Sequence, residues 1–103
     1  MVKVSIEYRG SGFASLEVKG HANSAPYGKD LVCAAVSAVT IGALNALEKT
    51  DDFDISIDSG DVRLFAKAGI GVHDETVIET LIIQLKTIEE SYKDSIEIKE
   101  RKN

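Results

Sequence analysis

Val2-Lys3-Val4-Ser5-Ile6-Glu7-Tyr8-Arg9-Gly10-Ser11-Gly12-Phe13-Ala14-Ser15-Leu16-Glu17-Val18-Lys19 decides how this chain folds. Val2, Val4, Ile6 and Tyr8 alternate with Lys3, Ser5 and Glu7. Successive side chains of a strand point to opposite faces, so a period of two marks a half-buried strand. Arg9-Gly10-Ser11-Gly12 supplies a turn, and Ala14, Leu16 and Val18 repeat the pattern against Ser15, Glu17 and Lys19. The stretch predicts a hairpin.

Beyond it the period changes. Residues 21–29 are small and polar and hold the only proline, Pro26. From Leu31 to Leu47 the chain is apolar on nearly every side, relieved by Ser37, Thr40, Gly42 and Asn45, which predicts a helix with most of its surface buried. Past an acidic loop, Phe53, Ile55 and Ile57 alternate with Asp54, Ser56 and Asp58. Ser59-Gly60 turns the chain, and Val62, Leu64 and Ala66 continue against Arg63 and Lys67, a second hairpin. Gly69 and Gly71 break the pattern. Asp74 is the predicted N-cap of a second helix striped by Val77, Ile78, Leu81, Ile82, Leu85, Ile88 and Tyr92, with Glu89 and Lys93 as an i,i+4 pair near its end. Ile96 and Ile98 mark a last short strand. The order β-β-α-β-β-α-β predicts an α+β fold: a mostly antiparallel five-stranded sheet with two helices on one face.

Composition bounds the function. A chain of 103 residues predicts one domain over 1–103. A net charge of −5 argues against direct nucleic-acid binding. The acids concentrate at Glu48, Asp51, Asp52, Asp54, Asp58 and Asp61, with Lys49 the one base among them. Cys33 is the only cysteine, so no internal disulfide forms and the cytoplasm is the expected compartment. The N-terminus reads as strand rather than signal peptide. No apolar run approaches the roughly 20 residues needed to span a bilayer, so no membrane association is expected.

The chemistry gathers around Gly20-His21-Ala22 and Asp30-Leu31-Val32-Cys33-Ala34-Ala35-Val36-Ser37. With Asp30 as N-cap, the Cys33 sulfur lies near the positive end of a helix dipole, which favours thiolate over a thiol of pKa about 8.5. His21 closes the second strand, and a loop can fold its imidazole back to take the thiol proton and later return it to a leaving amine. Asp30 has two open roles, capping the helix or orienting the imidazole. Free first-turn N–H groups offer an oxyanion hole. Against this stands the plain alternative that Cys33, followed by Ala34-Ala35-Val36, is a small buried residue of the core. His73 reads as an exposed loop residue. Two histidines and one cysteine make no zinc site, and no metal or cofactor is expected.

Gly20-His21-Ala22 followed by Gly28-Lys29-Asp30-Leu31-Val32-Cys33-Ala34-Ala35-Val36-Ser37 closely resembles the signature of the Prp ribosomal-processing cysteine protease family (YsxB-like), and length and element order match over essentially the whole chain. Asn23-Ser24-Ala25-Pro26-Tyr27 is the departure, a variable segment that bears on how substrate is gripped. The resemblance implies a cysteine endopeptidase that removes the N-terminal extension of large-subunit ribosomal protein twenty-seven, cutting after paired phenylalanines. It implies Cys33 as nucleophile and His21 as general base, with Asp30 and Ser37 in the same motif as supporting residues. It also implies a homodimer and the ribosomal precursor as peptide partner. A lid over residues 22–29 is expected to close on the substrate, with Gly20, Ala22, Pro26, Tyr27 and Gly28 as its loop positions. The competing reading is a non-catalytic ribosome-associated binding module with Cys33 buried. A redox-sensing thiol is a third, without a resolving cysteine in the chain.

Overall fold

The computed structural model describes residues 1–20, 30–58 and 60–102. Along the chain it places strands β1 (Val2–Arg9) and β2 (Gly12–Lys19), helix α1 (Asp30–Ala46), a short 3-10 turn (Thr50–Asp52), strands β3 (Phe53–Asp58) and β4 (Asp61–Ala66), helix α2 (Val72–Ser91) and strand β5 (Ile96–Lys102). The five strands form one sheet in the order β3-β4-β2-β1-β5. The β1–β2, β2–β4 and β3–β4 pairs are antiparallel, and β5 lies parallel to β1 with Val2 opposite Ile96. The predicted order and the mostly antiparallel sheet are both present.

The alternation read from the sequence becomes two faces. Val2, Val4, Ile6, Leu16, Val18, Val62 and Leu64 point to one side, where they pack against Val32, Val36 and Leu44 of α1 and Ile78, Leu81, Ile82 and Leu85 of α2. Both helices therefore cover the same face. Lys3, Ser5 and Arg63 stand exposed on the other. A one-residue slip of any strand would reverse both faces, so the apolar pattern holds the register.

Four local expectations change. α1 is not buried all round: Leu31, Ala34, Ala38, Gly42 and Ala46 are exposed, because helix and sheet need only one stripe of it. Asp74 does not cap α2, which starts two residues earlier with Gly71 as its N-cap. Instead Asp74 is buried, and its carboxylate accepts the backbone N–H groups of Glu48 at 2.7 Å and Lys49 at 3.0 Å. Its neighbour His73 belongs to the helix rather than a loop, and its Nε2 lies 3.0 Å from the carbonyl oxygen of Ala46, the last residue of α1. His73 and Asp74 thus grip both sides of the chain where it leaves α1. Glu89 likewise serves tertiary structure: α2 ends before Lys93, and the Glu89 carboxylate accepts the N–H of Ile98 in β5 at 2.8 Å.

At the β1–β5 margin, Glu100 receives the Tyr8 hydroxyl and pairs with the Lys86 ammonium, each at 2.7 Å. Burial first, and then the hydrogen bond to this carboxylate, pushes the Tyr8 phenol up to about 12. The hydrogen bond from Lys86, then that from Tyr8, holds Glu100 below the usual carboxylate range. A carboxyl group depressed in the folded state stabilises it above the ordinary carboxylate pKa, and that contribution fades as pH falls through the depressed value. Glu100→Gln is therefore expected to lower stability in urea from neutral pH upward and to converge with the parent in acid, flattening the acid limb of the profile. An acid limb identical to the parent's would remove Glu100 from this account.

Candidate active site

β2 ends at Lys19, and Gly20 turns the chain with a φ of +88°, a left-handed conformation that glycine adopts without steric cost. Space makes the same demand. A Cβ at this position would come within 2.9 Å of the carbonyl oxygen of Met1. The Gly20 N–H donates to the carbonyl of Gly60 at 2.7 Å, tying the end of β2 to the β3–β4 turn. Its own carbonyl lies 4.0 Å from the Cys33 sulfur, on the line of a weak S–H···O contact. Gly20→Ala should therefore destabilise the protein by about 1–3 kcal/mol and change the rate at which Cys33 is alkylated. Unaltered stability in urea would show that the strand end tolerates the side chain.

Cys33 is the fourth residue of α1, in its first turn, and is half-buried against the core rather than enclosed within it. The first N–H groups of a helix have no partner within it, and the positive end of the α1 dipole therefore lies in front of the sulfur. A thiol in this position reaches solvent on one side and is held by the helix on the other. That disposition suits attack on an extended backbone, and the binding-module alternative needed a buried sulfur.

Of the residues singled out from sequence, the structure brings Gly20 and Cys33 together at one end of the sheet. Asp30 is the first residue of α1, and Ser37 follows Cys33 by one turn on the same helix face, half-buried. His21, Ala22, Pro26, Tyr27 and Gly28 lie outside the described residues, as does the predicted lid over 22–29. Among the described residues no group of three or more His, Cys, Asp or Glu side chains is placed to hold a metal ion, and no helix is long and apolar enough to cross a membrane. A groove of about 600 Å³ runs between α1 and α2, lined among others by Ala38, Gly42, Ala46, His73 and Thr80. It begins more than a turn beyond Cys33 and has no part in this site. The contribution of Gly60, which anchors Gly20 from another hairpin, had no signal in the sequence beyond its place in a turn.

The chain matches the family described as "Cysteine protease Prp" over residues 1–97. It is 37% identical over 101 residues to the ribosomal processing cysteine protease Prp of Bacillus subtilis, covering 84% of this chain and 85% of that one. Its structure superposes with a TM-score of 0.86 on the crystal structure of the S. aureus ribosomal processing protease Prp in complex with a substrate peptide, at 28% identity over 97% of this chain and 99% of that one. A crystal structure of the same protease with a covalently linked product peptide gives a TM-score of 0.83 at 29% identity, with the same shares of each chain covered.

Proposed function

This chain belongs to the Prp family of cysteine proteases, and from that membership we propose that it is the endopeptidase that removes the N-terminal extension of large-subunit ribosomal protein twenty-seven, cutting after paired phenylalanines. The observation that carries the reading is the half-buried Cys33 thiol in the first turn of α1, facing the end of β2 that leads directly into His21. A relative of the same fold holding a covalently linked product peptide supports a covalent route.

In this reading the single domain 1–103 carries the whole reaction. The His21 imidazole takes the Cys33 proton, and the sulfur attacks the scissile carbonyl. The oxygen, now negative, is met by N–H groups at the start of α1, at the positive end of its dipole. His21 returns the proton to the leaving amine, the C–N bond breaks, and a thioester remains on Cys33. Water, deprotonated by His21, hydrolyses that thioester and frees the sulfur. Asp30 orients the imidazole or anchors the start of α1, and Ser37 stands one turn behind the nucleophile. Gly20, Ala22, Pro26, Tyr27 and Gly28 line the loop that meets the substrate. The chain works in the cytoplasm, where the ribosomal precursor is made, and acts as a homodimer.

The test is incubation of the protein with a peptide copying that N-terminal extension, followed by mass spectrometry. One cut after the phenylalanines supports the reading. An intact peptide bound equally well by the protein and by Cys33→Ala would replace it with a binding module.

A further inference from the structure

β3 forms one margin of the sheet, and its composition is unusual for an edge. Ile55 lies opposite Leu64 and Ile57 opposite Val62. Directly opposed residues of an antiparallel pair share a face, and Leu64 and Val62 are buried in the core. Ile55 and Ile57 must therefore point to the helix side of the sheet, yet they remain 36% and 57% exposed. The other face of the same strand presents Asp54, Ser56 and Asp58, all exposed. Only every second residue of an antiparallel strand turns its N–H and C=O to its partner, so half of those groups on β3 face the open side.

Edge strands are ordinarily defended by lysine, proline or a bulge. The sequence of β3, Phe53-Asp54-Ile55-Ser56-Ile57-Asp58, has neither lysine nor proline. The opposite margin, β5, carries Glu97, Lys99, Glu100, Arg101 and Lys102. One edge thus carries charges of both signs, and the other alternates exposed isoleucine with acid and carries no base. The open edge also runs to the active site. The carbonyl of Gly60, in the turn that ends β3, holds Gly20, whose own carbonyl faces the Cys33 sulfur. Two strand spacings separate β3 from β2, about 10 Å, a span that roughly three extended residues cross.

We propose that β3 is the docking strand for the peptide substrate: an extended segment alternating apolar and basic residues pairs with its open edge, apolar side chains on Ile55 and Ile57 and basic ones over Asp54 and Asp58, and delivers the scissile bond to Cys33. The proposal rests on the protease reading and specifies which extended peptides that site accepts. Backbone pairing supplies affinity without regard to sequence, and the two faces of β3 impose the alternation. Among the described residues Asp54 pairs with Lys67 at 3.9 Å, a loose exposed pair that a substrate lysine can replace.

Two measurements on the full chain test it. In the first, Cys33→Ala labelled with nitrogen-15 is titrated with a Val-Lys-Val-Lys-Val-Lys peptide and with a peptide of the same composition carrying its lysines in one block. The alternating peptide is expected to shift the amides of Phe53 through Asp58 and to protect from exchange the alternate ones that face the open side, with the blocked peptide binding about tenfold more weakly. Shifts centred on β5 or on the α1–α2 groove, or none anywhere, overturn the proposal. In the second, Ile55→Thr with Ile57→Thr keeps the β-branched shape and removes the apolar surface. Its kcat/KM on the ribosomal-extension peptide should fall at least about tenfold, while alkylation of Cys33 by iodoacetamide stays at the parent rate. Unchanged kcat/KM overturns the docking strand and leaves the protease intact. Binding at β3 without cleavage by the unsubstituted chain leaves the docking strand standing and removes the protease reading.

Discussion

Cys33→Ala abolishes cleavage of the ribosomal-extension peptide, lowering kcat/KM by about 10⁴-fold or more, and leaves the fold unchanged. The size follows from what the sulfur does. In the proposed mechanism no covalent intermediate forms without it, and only stabilisation of the developing oxyanion at the start of α1 remains. The fold survives because Cys33 is half-buried and alanine fills most of its contact with the core. His21→Ala is expected to reach a similar floor, and combining the two substitutions should cost little more than either alone if the proposed pair acts as a unit. Peptide cleavage followed by mass spectrometry, with thermal unfolding alongside, reads both quantities. A Cys33→Ala protein that still cuts at the parent rate would end the assignment of the nucleophile.

Asp74→Ala destabilises the protein by about 2–4 kcal/mol, a larger cost than a change of one surface charge. Asp74 is 1% exposed, and its carboxylate satisfies the N–H groups of both Glu48 and Lys49. Alanine leaves two backbone donors without a partner and an unfilled space beside them. Asp74→Asn keeps one acceptor oxygen and should lose about half as much. For a chain of this length the alanine variant's Tm should drop by roughly 10 °C or more. A shift of a degree or two would mean that water takes over both donors. The same substitution should affect catalysis little, because Asp74 holds the exit of α1 and Cys33 sits at its entry.

These two residues also show what could be read from the chain. Cys33 was legible as a first-turn thiol because a polar loop ends and an apolar run begins just before it, and helix position follows from that local change. Asp74 was legible only as a helix cap, the role its neighbours in sequence suggest. Its partners lie more than twenty residues back, and nothing local marks them. The hairpins were readable because alternation and turn residues are short-range signals. The parallel placement of β5 beside β1 was not, since both strands show the same half-buried pattern in either direction. The exposed side of α1 was missed for a related reason. Alanine and glycine score as apolar wherever they point, and only the position of α2 determines which of them remain uncovered. His21 and the loop after it rest on the sequence motif alone.

The pairing of Val2 with Ile96 gives this protein a particular history during synthesis. β1 emerges first, but one of its two neighbours is made more than ninety residues later. Until then Val2, Val4 and Ile6 belong to a strand with a bare margin, which is open to pairing with other chains. Closing a loop of that length carries a length-dependent entropic cost of about 4 kcal/mol, met only when the last strand arrives. Docking of β5 therefore belongs among the late steps of folding, and the amides of β1 that face β5 should acquire protection from hydrogen exchange after those that face β2.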